Sequence, residues 1–224
     1  VDMHKPESAV AAAIRTWDDG LAGALAARGD LSRVVAQFTP AYRGAFSPEE
    51  AVSDLAALEN LSAQGGSLMA RVWRRADDAH SALRLKLYVL GETLPLSASL
   101  PVFENLGLKV IAEDAFPVSL KSADGWTRDA MVLDFTMERA DSMGVALEEI
   151  AQPLEDAFHA VMRGDAESDG FNRLVMGAGL AWRDVVILRA IAKFLRQAGI
   201  TFSQDYMEQA LARNPPVARM RVEL

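Results

Sequence analysis

The stretch RLVMGAGLAWRDVVIL, residues 173–188, places two glycines where a phosphate-cradling turn would have them. A dinucleotide turn needs a strand, then G-x-G-x-x-G, then a helix whose N-terminus meets the pyrophosphate, with an acidic residue about 20 positions on for the ribose. Gly177 and Gly179 fill the first two places, but the third is Trp182, which is too bulky for tight strand–helix packing. The position expected to be acidic is Gly199, and the preceding apolar run LVM is too short for a buried parallel strand. The stretch therefore reads as a helix or a helix pair. Gly177, Ala178 and Gly179 would serve as a small-residue crossing point that lets another backbone approach.

The other reactive residue types are as sparse. Of the three histidines, His4, His80 and His159, none stands at metal-ligand spacing from another, so no metal site is expected. His159 lies beside an apolar stripe and reads as a helix-surface or core-edge residue. Carboxylates pair at Asp77 with Asp78, Glu148 with Glu149, and Glu155 with Asp156. Adjacent helical residues do not face each other, so these read as solvated faces rather than acid–base pairs. Arg189, Lys193 and Arg196 share one side of a helix and could bind an anion or an acidic partner, but solvation or pairing with nearby acids within the chain is expected instead. No nucleophile elbow or phosphate loop is present, and no catalytic or cofactor-binding residue is assigned.

The whole-chain totals narrow the classes further. The 224 residues are half hydrophobic, enough for a substantial core, and carry a formal net charge of −8. That balance argues against a nucleic-acid partner, which needs clustered Lys and Arg. With no cysteine there are no disulfides, thiolate zinc sites or cysteine nucleophiles. The N-terminus lacks a signal-peptide pattern, and no window reaches the roughly 18 uninterrupted apolar residues of a membrane span. A soluble, cytoplasmic chain without a membrane partner is expected. It starts at Val and ends on the alternating RMRVEL, which suggests a piece of something longer.

Periodicity places the elements. Val10, Ile14, Trp17, Leu21 and Leu25 recur at helical steps within residues 7–28. Ser47, Pro48 and Glu50 form a capping box ahead of a helix that buries Val52, Leu55, Leu58 and Leu61. LMARVWRR and ALRLKLYVL alternate at period two and read as strands, the second closed by Gly91. LPLSASLPVFENLG is a short helix ended by Gly107. LKVIAEDAFPVSL and RDAMVLDFTME are two further strands joined by KSADGW. Helical spacing returns at Leu147, Ile150, Leu154, Phe158 and Val161, residues 164–170 break the chain, and a last helix is capped by Ser203 and stopped by Pro215 and Pro216.

Three stretches, AYRGAFSPEEAVSDLAALENL, LRLKLYVLGETLPLSASLPVFENLGLKVIAEDAFPV and DGFNRLVMGAGLAWRDVVILRAIAKFLRQAGITFSQDYMEQALARNPPVARMRVEL, closely resemble the non-catalytic part of the large-subunit bacterial NAD-specific glutamate dehydrogenases. The resemblance covers most of residues 38–224. It implies a parent enzyme that interconverts L-glutamate with 2-oxoglutarate and ammonia using NAD, and a segment lying ahead of the catalytic domain. It also implies an ACT-like unit in the middle. ACT domains often bind an amino acid near the turn between first strand and helix, which here corresponds to Gly91, Glu92, Thr93 and Leu94, followed by Pro95. The residue order departs from the usual one. Pro95 with Pro101 also fits a stiff structural turn.

The expected fold is α+β, a small ACT-like mixed α/β unit with helical segments on both sides. The expected domains are a helical segment 1–66, an ACT-like domain 67–140 and a helical segment 141–224. The expected role is regulation and assembly of the parent enzyme, without catalysis by the segment itself. Two versions compete: a module sensing an amino-acid effector, and a scaffold packing on the remainder of the parent chain and its subunits. A purely structural helical interaction domain is the third alternative. The scaffold version places the interface at Ile187, Ile191, Phe194 and Leu195.

Overall fold

The computed structural model describes residues 16–28, 34–75, 78, 82–91, 94–122, 125–140 and 147–222. In order, they form α1 (Trp17–Arg28), β1 (Val34–Phe38), α2 (Pro40–Ala45), α3 (Pro48–Ala63), β2 (Leu68–Trp73), β3 (Ala82–Leu90), α4 (Leu96–Asn105), β4 (Leu108–Ser122) and β5 (Thr127–Arg139). Then follow α5 (Leu147–Met162), a 3-10 turn at Gly170–Asn172, α6 (Arg173–Ala178), α7 (Trp182–Gln197), α8 (Gln204–Arg213) and α9 (Pro215–Val222). The class is α+β, with a five-stranded antiparallel sheet in the order β1-β4-β5-β3-β2.

Most boundaries follow from local chemistry. The Ser47 hydroxyl accepts the Glu50 N–H, and the Glu50 carboxylate accepts the Ser47 N–H at 2.7 Å, which closes the capping box of α3. The Tyr206 N–H donates to Ser203 at the start of α8. Gly179 ends α6 in the left-handed conformation at φ 64°. Val10 and Ile14 lie outside the described residues.

Four features differ from the sequence expectations. Val34–Phe38 is a strand, paired antiparallel with β4 from Val34↔Ser122 to Phe38↔Val118. Its five residues are too few for periodicity to mark. Pro215 opens a ninth described helix instead of only stopping the eighth, because its fixed φ suits the first helical turn. The alternating RMRV is therefore helical. Pro101 lies inside α4 rather than in a turn. A Cβ on Gly177 would meet nothing within 4 Å, so the glycines of the opening stretch are not a close crossing point.

By compactness the chain divides into two units, each taken from the described residues within the stated bounds. The first comprises Val1–Met69, Tyr88–Thr93 and Ala115–Val132. Its core sets Val52, Leu55, Leu58 and Leu61 of α3 among Phe38, Tyr42, Phe46 and Phe116, all buried. Phe38 stacks on Tyr42 at 4.3 Å between centroids, and Phe46 meets Phe116 edge-on at 5.2 Å.

The second unit comprises Ala70–Leu87, Leu94–Asp114 and Leu133–Leu224. Phe103 of α4 stacks on Phe158 of α5 at 5.1 Å and meets Phe135 of β5 at 5.2 Å. Leu83, Leu85, Leu174 and Val185 are buried in the same unit. Within it β2 is a sheet edge, and α5 covers that edge with polar side chains.

Candidate functional site

Two regions carry the residues expected to matter. The first is the turn after β3. Gly91 adopts φ 83°, a conformation open to glycine, and its N–H donates to the Asp129 carbonyl at 3.0 Å. It lines a cleft of about 550 Å³ in the first unit, together with Gln37, Thr39, Ser119, Asp129 and Met131. The walls come from neighbouring strands, and their polar groups belong to both donor and acceptor classes. Glu92 and Thr93 lie outside the described residues. Leu94 belongs to the second unit and is half-buried, and Pro95 holds the N-cap position of α4 without a side-chain hydrogen bond.

The second region is α7. Val185, Leu188 and Ala192 are buried in the second unit, while Ile187, Ile191, Phe194 and Leu195 are exposed, between 37% and 66% of their surface. Exposed Ala190 and Ala198 complete an uncharged stripe at helical spacing along the outer side. Beyond the helix, Ile200, Phe202 and Tyr206 are also exposed, and the Phe202 and Tyr206 rings stack at 4.8 Å. Exposed apolar side chains grouped on one side of a helix make that side a candidate docking surface.

The cations of α7 are distributed unequally. Arg189 is buried and makes a bidentate contact with Asp169, Nε to Oδ2 at 2.7 Å and Nη2 to Oδ1 at 2.8 Å. Asn172 and the Glu167 carbonyl accept from it as well. Lys193 pairs with Glu167 at 2.5 Å. The Arg196 side chain is exposed and has no hydrogen-bond or ion-pair partner among the described residues. Two of the three are paired within the chain and the third is solvated.

Several polar clusters escaped the sequence reading. Asp54, 2% exposed, accepts the Tyr42 hydroxyl at 2.6 Å and the Tyr88 hydroxyl at 2.8 Å. Burial, reinforced by the Asp54 charge, pushes the Tyr42 phenol far above its usual range. Asp134 accepts the Trp73 indole N–H at 3.0 Å and pairs with Arg84 at 3.3 Å. Burial raises its carboxyl, against the lowering effects of Trp73 and of the Lys86 and Arg84 charges. The Lys86 ammonium lies 4.3 Å from the Trp73 ring centroid.

Two carboxylates expected on solvated faces are elsewhere. Glu155 accepts the Val72 N–H of β2 at 2.7 Å, and burial raises its carboxyl despite that bond. Asp78 accepts from Arg84 and from the Arg75 N–H. Burial pushes Asp78 upward, but these hydrogen bonds and the two arginine charges outweigh it and leave the carboxyl lowered. Glu148, Glu149 and Asp156 are exposed as expected, and Asp77 lies outside the described residues. Each buried acid is satisfied within its own unit, so these groups hold strands and helices together rather than facing a substrate. His4 and His80 lie outside the described residues, and among the described residues no three His, Asp or Glu cluster to hold a metal. Among them, too, no helix is long and apolar enough to cross a membrane.

Comparison with known proteins covers both regions. The family model for glutamate dehydrogenase helical motif 2 matches residues 31–61, that for the glutamate dehydrogenase ACT3 domain 67–150, and that for glutamate dehydrogenase helical motif 3 166–224. The chain belongs to the NAD-specific glutamate dehydrogenase family. Within that family, the glutamate dehydrogenase of Halomonas elongata is 35% identical over 230 residues, covering 100% of this chain and 14% of its own length. That of Pseudomonas aeruginosa is 37% identical over 233 residues, covering 100% of this chain and 14% of its own. That of Mycobacterium tuberculosis is 35% identical over 222 residues, covering 95% of this chain and 13% of its own. The chain thus spans about one-seventh of the length of these glutamate dehydrogenases. The ACT3 match takes in Gly91–Leu94, and the helical motif 3 match contains all of α7.

Proposed function

We propose that this chain is a regulatory and assembly segment of an NAD-dependent glutamate dehydrogenase, not catalytic by itself, which docks through the outer side of α7 onto the remainder of the parent chain and its subunits. The supporting observation is the uncharged stripe Ile187, Ile191, Phe194 and Leu195, exposed while Arg189 and Lys193 of the same helix are tied to Asp169 and Glu167. Covering such side chains contributes about 1.5–3 kcal/mol for each one fully buried. On this reading NAD belongs to the parent enzyme, which converts L-glutamate to 2-oxoglutarate, and the segment is cytoplasmic. The division 1–66, 67–140 and 141–224 is part of the proposal. The change of family model between residues 61 and 67 supports its first border.

The test is binding of an apolar fluorescent dye to the chain and to Phe194→Ser. Strong binding that falls in the variant, at unchanged melting temperature, supports docking. A chain that binds no dye overturns it. An NADH-formation assay with glutamate on the chain alone is expected to give no turnover.

A second reading is an amino-acid effector module, and the cleft beside Gly91 favours it. A dose-dependent rise in melting temperature with one amino acid from a panel of glutamate, aspartate and arginine would support it. No shift at millimolar concentration would leave docking alone.

A further inference from the structure

We infer that the cleft between α7 and the loop after α5 is a binding site for a small zwitterion, a free α-amino acid with a short apolar side chain. The site lies wholly in the second unit and rests on neither reading above. Val186, Arg189, Ala190 and Lys193 recur at helical steps along α7, which puts them on one side of it. Asp165 and Glu167 of the loop complete a cleft of about 290 Å³ with them. That volume stands at the lower end of small-molecule sites.

Arg189 is the fixed element of the wall. Its side chain is 4% exposed, and the Asp169 carboxylate orients the guanidinium through Nε and Nη2. Asn172 and the Glu167 carbonyl also accept from Nη2. Nη1 makes no hydrogen bond among the described residues. A buried, oriented arginine thus keeps two N–H donors of its planar fork for an acceptor from outside.

The other charged groups of the cleft are also only partly used. Asp165 takes Arg163 through Oδ2 at 2.9 Å, and its Oδ1 accepts no hydrogen bond among the described residues. Glu167 takes Lys193 through Oε1, and both side chains are about half exposed. A carboxylate has further lone pairs and an ammonium has three donors, so neither is saturated by that pair.

Charge selects the ligand class. The lining carries two acids, Asp165 and Glu167, and two bases, Arg189 and Lys193. A simple oxyanion would meet the acids, and a metal ion or a plain amine would meet the bases. A zwitterion satisfies both signs: its carboxylate accepts from Arg189 Nη1 and the Lys193 ammonium, and its own ammonium donates to Asp165 and Glu167. Val186 and Ala190 leave an apolar wall for a short side chain, and the lining holds no further charge for an acidic or basic one.

The experiment titrates the isotope-labelled 224-residue chain with L-alanine and follows its backbone amides by NMR. Saturable shifts are expected at residues 164–167 and 186–193. Lys193→Gln and Glu167→Gln remove members of an exposed pair that adds little to stability, so each should weaken binding roughly five- to tenfold at unchanged melting temperature. Acetate and methylammonium, each carrying half of the charge pattern, should bind about tenfold more weakly than L-alanine. No shift at about 20 mM L-alanine would overturn the inference. Acetate binding as tightly as L-alanine would overturn it in favour of a plain anion site. Shifts at Gly91 and residues 129–131 that the two variants leave unchanged would overturn it too, and would place the ligand in the cleft of the effector reading.

Discussion

His159 accepts the main-chain N–H of Ala70 through Nε2 at 3.1 Å, and one helical turn earlier Glu155 does the same for Val72 at 2.7 Å. Residues four apart on a helix rise about 6 Å, and residues two apart on a strand about 6.7 Å, so the two side chains match alternate N–H groups of β2. This blunts a sheet edge that would otherwise invite pairing with another strand.

A pH dependence follows. Burial, aided by the Arg163 charge, holds His159 below its ordinary value of 6.5, with the nearby Asp156 charge opposing. A folded value below the unfolded one means stability that is present above the unfolded value and lost as pH falls through the folded one. Glu155, raised by burial, has the opposite sign and favours the fold at lower pH. In a Glu155→Gln background, the melting temperature should therefore drop as pH falls from neutral through mild acid. Adding His159→Gln should flatten that drop, and an unchanged slope would show that His159 does not control it.

Asp54 is the acceptor for two buried phenols. Asp54→Ala should cost about 3 kcal/mol, because two buried donors lose their acceptor, while Tyr42→Phe, which removes one of the two donors, should cost about 1 kcal/mol. Denaturant midpoints of the two single variants and the double variant form a cycle. A coupling energy near zero would contradict the hydrogen bonds.

Gly177 of α6 and Gly179 just past its end should respond with opposite sign. Gly179→Ala forces an alanine into φ 64° and should destabilise by about 1 kcal/mol. Gly177→Ala, helical and with open space at the Cβ, should stabilise by about 0.5–1 kcal/mol. Thermal melts of the two variants measured side by side are sufficient.

Two cations on one helix should also differ. Arg189→Met strips a buried partner from Asp169 and should cost about 3 kcal/mol. Lys193→Ala, whose pair with Glu167 is about half exposed on both sides, should change stability by about 0.5 kcal/mol or less. Similar losses in urea unfolding would mean that burial of Arg189 adds nothing.

Much of this was legible locally. The Ser47–Glu50 capping box, strands β2 to β5, the Gly107 end of α4 and the amphipathic α5 were all readable because each depends on neighbours within a turn or a pleat. The exposed set Ile187, Ile191, Phe194 and Leu195 was visible as one face of a helix, although periodicity alone could not say which face pointed outward. Strand β1 was hidden because five residues give too short a pattern, and its pairing partner lies some eighty positions later.

By itself, then, the sequence determined the α+β class, the main helices and strands, and the family likeness, since these rest on short-range periodicity, caps and extended similarity. Only the tertiary structure decided that Asp54 meets two tyrosines, that Glu155 and His159 turn from a solvated pattern onto the edge of β2, and that Arg189 is buried while Arg196 is left outside. Those outcomes depend on which distant groups share a low-dielectric space, and no local spacing encodes that.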